Sequence, residues 1–80
     1  MRLTYKEKMR QVGLNIAYYR KYRKLTQLEL AEKVHISPCY VSQIECGSVK
    51  NSVSIPVLWA IAEALQIEFE DLFKLRDSLK

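Results

Sequence analysis

The 80-residue chain is poor in the residues that interrupt or staple a backbone, with two glycines, two prolines and two cysteines. Cys39 and Cys46 are seven positions apart on one predicted helix, or ~10 Å, beyond the ~7 Å Cα separation that a disulfide bond tolerates. Two free thiols in a reducing compartment are expected. There is one histidine, His35, and with only Cys39 and Cys46 beside it the ligands are too few and wrongly spaced for a zinc site. Glycine-rich phosphate loops are absent, and the lone histidine sits in a predicted tight turn without a partner to orient it as a base. These absences argue against an enzyme and call for no metal or cofactor. No apolar run approaches the ~20 residues of a membrane span, and the opening MRLTYKEKMR lacks the apolar core of a secretory signal. A soluble cytoplasmic protein without membrane contact is expected.

Acid is also nearly missing from one end. Residues 1–24 hold eight Lys or Arg and one Glu, a net +7, whereas residues 25–80 hold five Lys or Arg and eight Asp or Glu, a net −3. A basic block of that density suits a polyanion, although basic helix faces are often only solvated surface. What remains is 49% hydrophobic, enough for one domain over residues 1–80 with a modest core and no staples.

The apolar residues recur at helical spacing throughout, without strand pattern, repeat or low-complexity segment. Thr4 and Glu7 have capping-box spacing and open a first helix over about 5–23, carried by Tyr5, Met9, Val12, Ile16 and Tyr19. Gly13 inside it suggests close approach by another helix. Thr26 and Glu29 form a second capping box, with Leu25 and Leu30 at hydrophobic-staple positions, and open a helix over about 27–34. Ser37 caps a third helix with Pro38 at its first position, and Gly47 stops it. After a polar loop, Ser54 caps a fourth, with Pro56 in its first turn and Ile55, Leu58, Ile61, Ala62 and Leu65 as its buried stripe. A fifth takes in FEDLFKL and is expected to continue through Arg76 and Leu79, so that helices 4 and 5 span about 55–79. The fold class is all-α with five helices.

The third helix poses a problem. Val41 and Ile44 are its only aliphatic anchors, and Cys39, Ser42, Gln43 and Cys46 share the opposite face. In a chain that is 28% charged, that face carries no charge. Two short helices joined by about three residues, the second with a sharp Ser-Pro start, form a helix-turn-helix unit, although any helical hairpin shares that pattern. A helix in the major groove must offer groups that hydrogen-bond base edges or touch a thymine methyl, and acidic side chains there would be repelled by phosphate. Gln43 can do the first with its amide; Pro38 and Cys39 can do the second.

The stretch TQLELAEKVHISPCYVSQIECG, followed by SIPVLWAIAEALQIEFEDLF, resembles the Cro/CI-type (Xre family) helix-turn-helix repressors over about residues 13–73. The resemblance implies a lambda-repressor-like DNA-binding domain, with its helix-turn-helix core over about 26–47 at helices 2 and 3. It implies base contacts by Pro38, Cys39, Ser42 and Gln43 from recognition helix 38–46. It implies phosphate contacts by Gln27, Ser37 and Tyr40, and backbone or minor-groove contacts by Cys46, Lys50 and Asn51. Arg20 and Glu45 match a structural ion pair, with Arg20 a further candidate for phosphate. The chain departs from the pattern at His35, where the family usually has glycine and positive φ is expected. It departs also at Pro38 and Cys39, which replace amide or basic side chains and imply sparse direct readout, with DNA shape carrying more.

Such proteins read a palindromic double-stranded operator as two-fold homodimers, with half-sites one helical turn apart. Ile67, Phe69, Phe73 and Trp59 are the interface candidates, because the chain's end has more apolar side chains than one short helix can bury, Leu72 being core. Trp59 could equally pack on the first helix through Tyr5 or Met9. Glu29 and Glu32 could offer RNA polymerase an acidic patch, though solvated surface is the plainer reading. With no room for a ligand-sensing domain, control is expected through protein level or a partner, as in Cro-like switches and restriction-modification controllers. The rival reading is a protein-interaction module, an antitoxin-type or antirepressor partner. Steep loss of binding with salt separates DNA binding from an apolar interface.

Overall fold

The computed structural model describes residues 4–49 and 53–74. Four α-helices and one 3₁₀ turn follow in order: α1 (Tyr5–Tyr22), α2 (Gln27–Val34), α3 (Pro38–Cys46), α4 (Ile55–Leu65) and the turn Phe69–Phe73. No strand occurs among the described residues.

Each α-helix starts where a hydroxyl side chain satisfies an otherwise unpaired N–H. The Thr4 hydroxyl accepts from the Glu7 N–H at 3.1 Å while Glu7 accepts from the Thr4 N–H at 2.9 Å. Thr26 and Glu29 repeat the arrangement at 3.0 and 2.8 Å. Ser37 accepts from the Tyr40 N–H at 3.0 Å, and Ser54 from the Val57 N–H at 3.3 Å.

All four helices end through a left-handed residue: Lys24, His35, Gly47 and Gln66, with φ between 60° and 70°. The residue after each sends its N–H back five positions, Leu25 to Arg20, Ile36 to Ala31, Ser48 to Gln43 and Ile67 to Ala62. Only one of the four is glycine. A Cβ at Gly47 would lie 3.2 Å from the Cα of Arg10, so that position must lack a side chain for reasons of space as well as backbone conformation.

The helices share one core. Val12 and Ile16 of α1, Leu30 of α2, Val41 and Ile44 of α3 and Leu58, Ile61 and Leu65 of α4 are buried around Leu72 of the 3₁₀ turn. The other glycine, Gly13, lies where α1 crosses the end of α3. A Cβ there would stand 2.8 Å from the Glu45 carbonyl oxygen and closer still to that of Ile44, so glycine lets the two backbones touch.

Two expectations are corrected. The last described element is a five-residue 3₁₀ turn and not an α-helix, so the helix count is four. Its end is held by α1: buried Asn15 donates through Nδ2 to the Leu72 carbonyl at 2.7 Å and to that of Lys74 at 2.8 Å, while Lys8 donates to that of Phe73 at 2.8 Å. Carbonyls that already have donors need no further helical turn. The expected continuation through Arg76 and Leu79 lies outside the described residues. In α4, Ile55 is 64% exposed and does not join the buried stripe, which begins at Leu58; as first residue of the helix, it sits at the element's edge.

Candidate nucleic-acid interface

Helix α3 turns Val41 and Ile44 into the core and leaves Pro38, Cys39, Gln43 and Cys46 exposed, with Ser42 half-buried beside them. The outer face therefore shows one amide, two thiols and a hydroxyl, without a charge. Its single acid, Glu45, faces inward, and its side chain is 6% exposed.

Three helices meet on that carboxylate. Arg20 of α1 donates from Nε to Glu45 Oε2 at 2.6 Å and from Nη2 to Oε1 at 3.1 Å, and its Nη1 donates to the Leu25 carbonyl at 2.8 Å. Gln27, first residue of α2, donates from Nε2 to the same Oε1 at 3.0 Å. A two-pronged Arg–carboxylate pair offsets the cost of burying both charges only when its remaining lone pairs are also satisfied, which Gln27 helps to do. The start of α2 is thereby tied to the end of α3, fixing the angle at which the outer face is presented. Arg20 is buried and its nitrogens point into this knot, which favours a positioning role over an outward contact.

The sharp turn between α2 and α3 passes through His35, at φ 61° and ψ 43°, the left-handed conformation expected at that position. His35 is exposed, and its N–H donates to the Ala31 carbonyl, closing the helix. Ser37 is exposed at the start of α3 and Tyr40 is half-buried against the core. Lys50 and Asn51 lie outside the described residues.

A second surface forms on α4 and the 3₁₀ turn. Trp59, 53% exposed, stacks on Phe69 with ring centres 5.2 Å apart, and Phe69 meets Phe73 at 5.2 Å. Trp59 thus packs on the 3₁₀ turn, a partner the sequence reading did not give it, and keeps half of its surface exposed. Ile67, Phe69 and Phe73 are half-buried, each leaning on the core and open on its other side.

Three residues were not singled out from the sequence. Asn15 is fully buried and joins α1 to the 3₁₀ turn. Its position, three after Val12 and four before Tyr19, put a polar side chain within an apolar stripe, a detectable signal. Lys8 and Arg23 are also committed within the chain, Arg23 donating from Nε to the Leu65 carbonyl at 2.8 Å; nothing in their spacing marked them apart from the other cations. Among the described residues, no group of three or more His, Cys, Asp or Glu could hold a metal ion, and no helix is long and apolar enough to cross a membrane.

A helix-turn-helix family model matches residues 16–72. The immunity repressor protein of Bacillus phage phi105 is 46% identical over 57 residues, which are 71% of this chain and 38% of that protein. The chain thus spans little more than a third of that curated relative. Among solved structures, the restriction-modification controller protein C.AhdI from Aeromonas hydrophila has a TM-score of 0.75 at 29% identity, over 81% of this chain and 96% of that one. The master regulator for biofilm formation SinR, solved in complex with DNA, has a TM-score of 0.72 at 32% identity, over 79% of this chain and 98% of that one.

Proposed function

The chain belongs to the helix-turn-helix family, and on that premise we propose that it is a transcriptional regulator that binds a double-stranded operator through α3. The observation that carries this reading is the uncharged outer face of α3, with its one carboxylate drawn inward by Arg20 and Gln27. A face of that kind gains little from water and fits a groove whose walls are anionic. Gln43 is the principal base reader, its amide able to pair with the two major-groove edge groups of adenine. Pro38, Cys39 and Ser42 line the same face and give apolar or single hydrogen-bond contacts. Gln27, Ser37 and Tyr40 stand along the wall where phosphates run, and Cys46 takes the far end of the helix.

The regulator acts as a homodimer on a palindrome, joined through Trp59, Ile67, Phe69 and Phe73. A row of partly open aromatics on one side of a small protein is the kind of surface that two copies cover mutually. The whole domain over residues 1–80 serves this one task, without enzymatic activity.

Selection of bound fragments from a random duplex library, followed by binding to the best site across a salt series, tests the reading. A palindrome with half-sites one turn apart and affinity falling steeply with salt is the expected outcome. If no sequence is enriched, operator binding fails and the aromatic surface becomes the functional one.

A further inference from the structure

Beside the recognition helix lies a cleft that none of the contacts above uses. It encloses about 470 Å³ between the first turns of α1 (Tyr5, Lys6, Met9) and the segment that leaves α3 (Gly47, Ser48, Val49), with Val53 at its floor. It begins at the residue after Cys46, where the exposed face of α3 ends.

Two cations of the first turns of α1 stand by it uncommitted, as Lys21 is at the far end of the helix. Lys8, Arg20 and Arg23 are committed to Phe73, Glu45 and Leu65. Lys6 and Arg10, four positions apart and hence on one side of the helix, are exposed and have no hydrogen-bond or ion-pair partner among the described residues. Lys6 lines the cleft. The backbone of Arg10 abuts Gly47, close enough that a Cβ on Gly47 would stand 3.2 to 3.6 Å from its Cα, Cβ and Cγ. Glycine at Gly47 is thus what allows Arg10 to sit against the end of the recognition helix.

Resting on the DNA-binding reading, we propose that Lys6 and Arg10 form a phosphodiester-binding site for the operator backbone at the C-terminal end of α3, where the Ser48 hydroxyl is itself donated to the Gln43 carbonyl. Met9, Val49 and Val53 give the cleft an apolar lining that suits the face of a deoxyribose, while the two cations take the phosphates. Ser37, a proposed backbone contact of its own, stands at the opposite end of α3 as its N-cap. The recognition helix is then bracketed by backbone contacts on both sides of the groove, which fixes its depth and register without reading sequence.

The test is the double variant Lys6→Gln/Arg10→Gln. Its binding to the selected operator and to an unrelated duplex is measured across a salt series. The expected result is a log–log salt slope shallower by about 1.8 per bound protomer, a roughly 60-fold weakening per protomer in 0.1 M salt on both duplexes, and unchanged base preference. Both residues are exposed, so the melting temperature should not move, and Lys6→Arg/Arg10→Lys should restore slope and affinity. An unchanged slope, or a loss confined to the operator, overturns this site while operator binding stands. If the unaltered protein shows no salt-dependent binding to any duplex, this site and the DNA-binding reading fail together.

Discussion

Gln43 and Gln27 are the same side chain at two addresses, and their surroundings separate their roles. Gln43 is exposed on the outer face of α3, with nothing else on that face able to make a bidentate contact. Gln27 is half-buried, with one amide N–H already donated to Glu45. Gln43→Ala is expected to relax base preference at a single operator position at a cost of ~1–3 kcal/mol. Gln27→Ala should weaken binding to every sequence alike. Because it also removes a donor from a buried carboxylate, it should cost about 1 kcal/mol of stability in addition. Competition binding on single-base operator variants, with thermal melts of both proteins, checks the pair; equal losses on all sequences for both would refute the division of roles.

Among the elements, those set by neighbours in the chain were legible in the sequence. Both capping boxes, the Ser-Pro start of α3 and the Gly47 stop depend on contacts within a few residues, and the bounds of α2 and α3 follow from them. The face of α3 was legible for the same reason, since Val41 and Ile44 alone could anchor it. The 3₁₀ turn was not, because its end is decided by Asn15 and Lys8, more than fifty positions away. Ile55 misled because spacing reveals which side of a helix is apolar, and not where along the helix the packing starts. The helix ends yield a further expectation. His35 holds a left-handed conformation that costs a non-glycine residue ~1–2 kcal/mol, while glycine would add ~0.4–1 kcal/mol of unfolded-state entropy to lose. His35→Gly should therefore stabilise the domain by ~0.5–1 kcal/mol, raising the melting temperature by several degrees. A fall would show that the imidazole makes a contact worth more than the strain.

At the scale of the whole molecule, α1 is the member that everything else is hung on. It carries five of the 13 Lys and Arg, packs its Gly13 side on α3 and holds the 3₁₀ turn through Asn15 and Lys8. The 3₁₀ turn in turn carries Phe69 and Phe73, on which Trp59 of α4 stacks. Phe73→Asp is expected to give monomers in sedimentation, with operator affinity lost and circular dichroism unchanged. Since Phe73 also leans on the core, Trp59→Glu, at a more exposed position, should act in the same way. A dimer that survives both places the seam elsewhere.

Gly13 and Asn15 are two residues apart on α1 and nearly back to back around it, one against the recognition helix and the other against the element that carries the aromatic row. One continuous helix thus joins the proposed reading helix to the element that carries the proposed dimer surface. Each base pair added between half-sites turns one of them by about a tenth of a revolution. In the proposed dimer such a gauge block has no play to absorb that turn, and adding one base pair between half-sites is expected to weaken binding as much as changing a base within one.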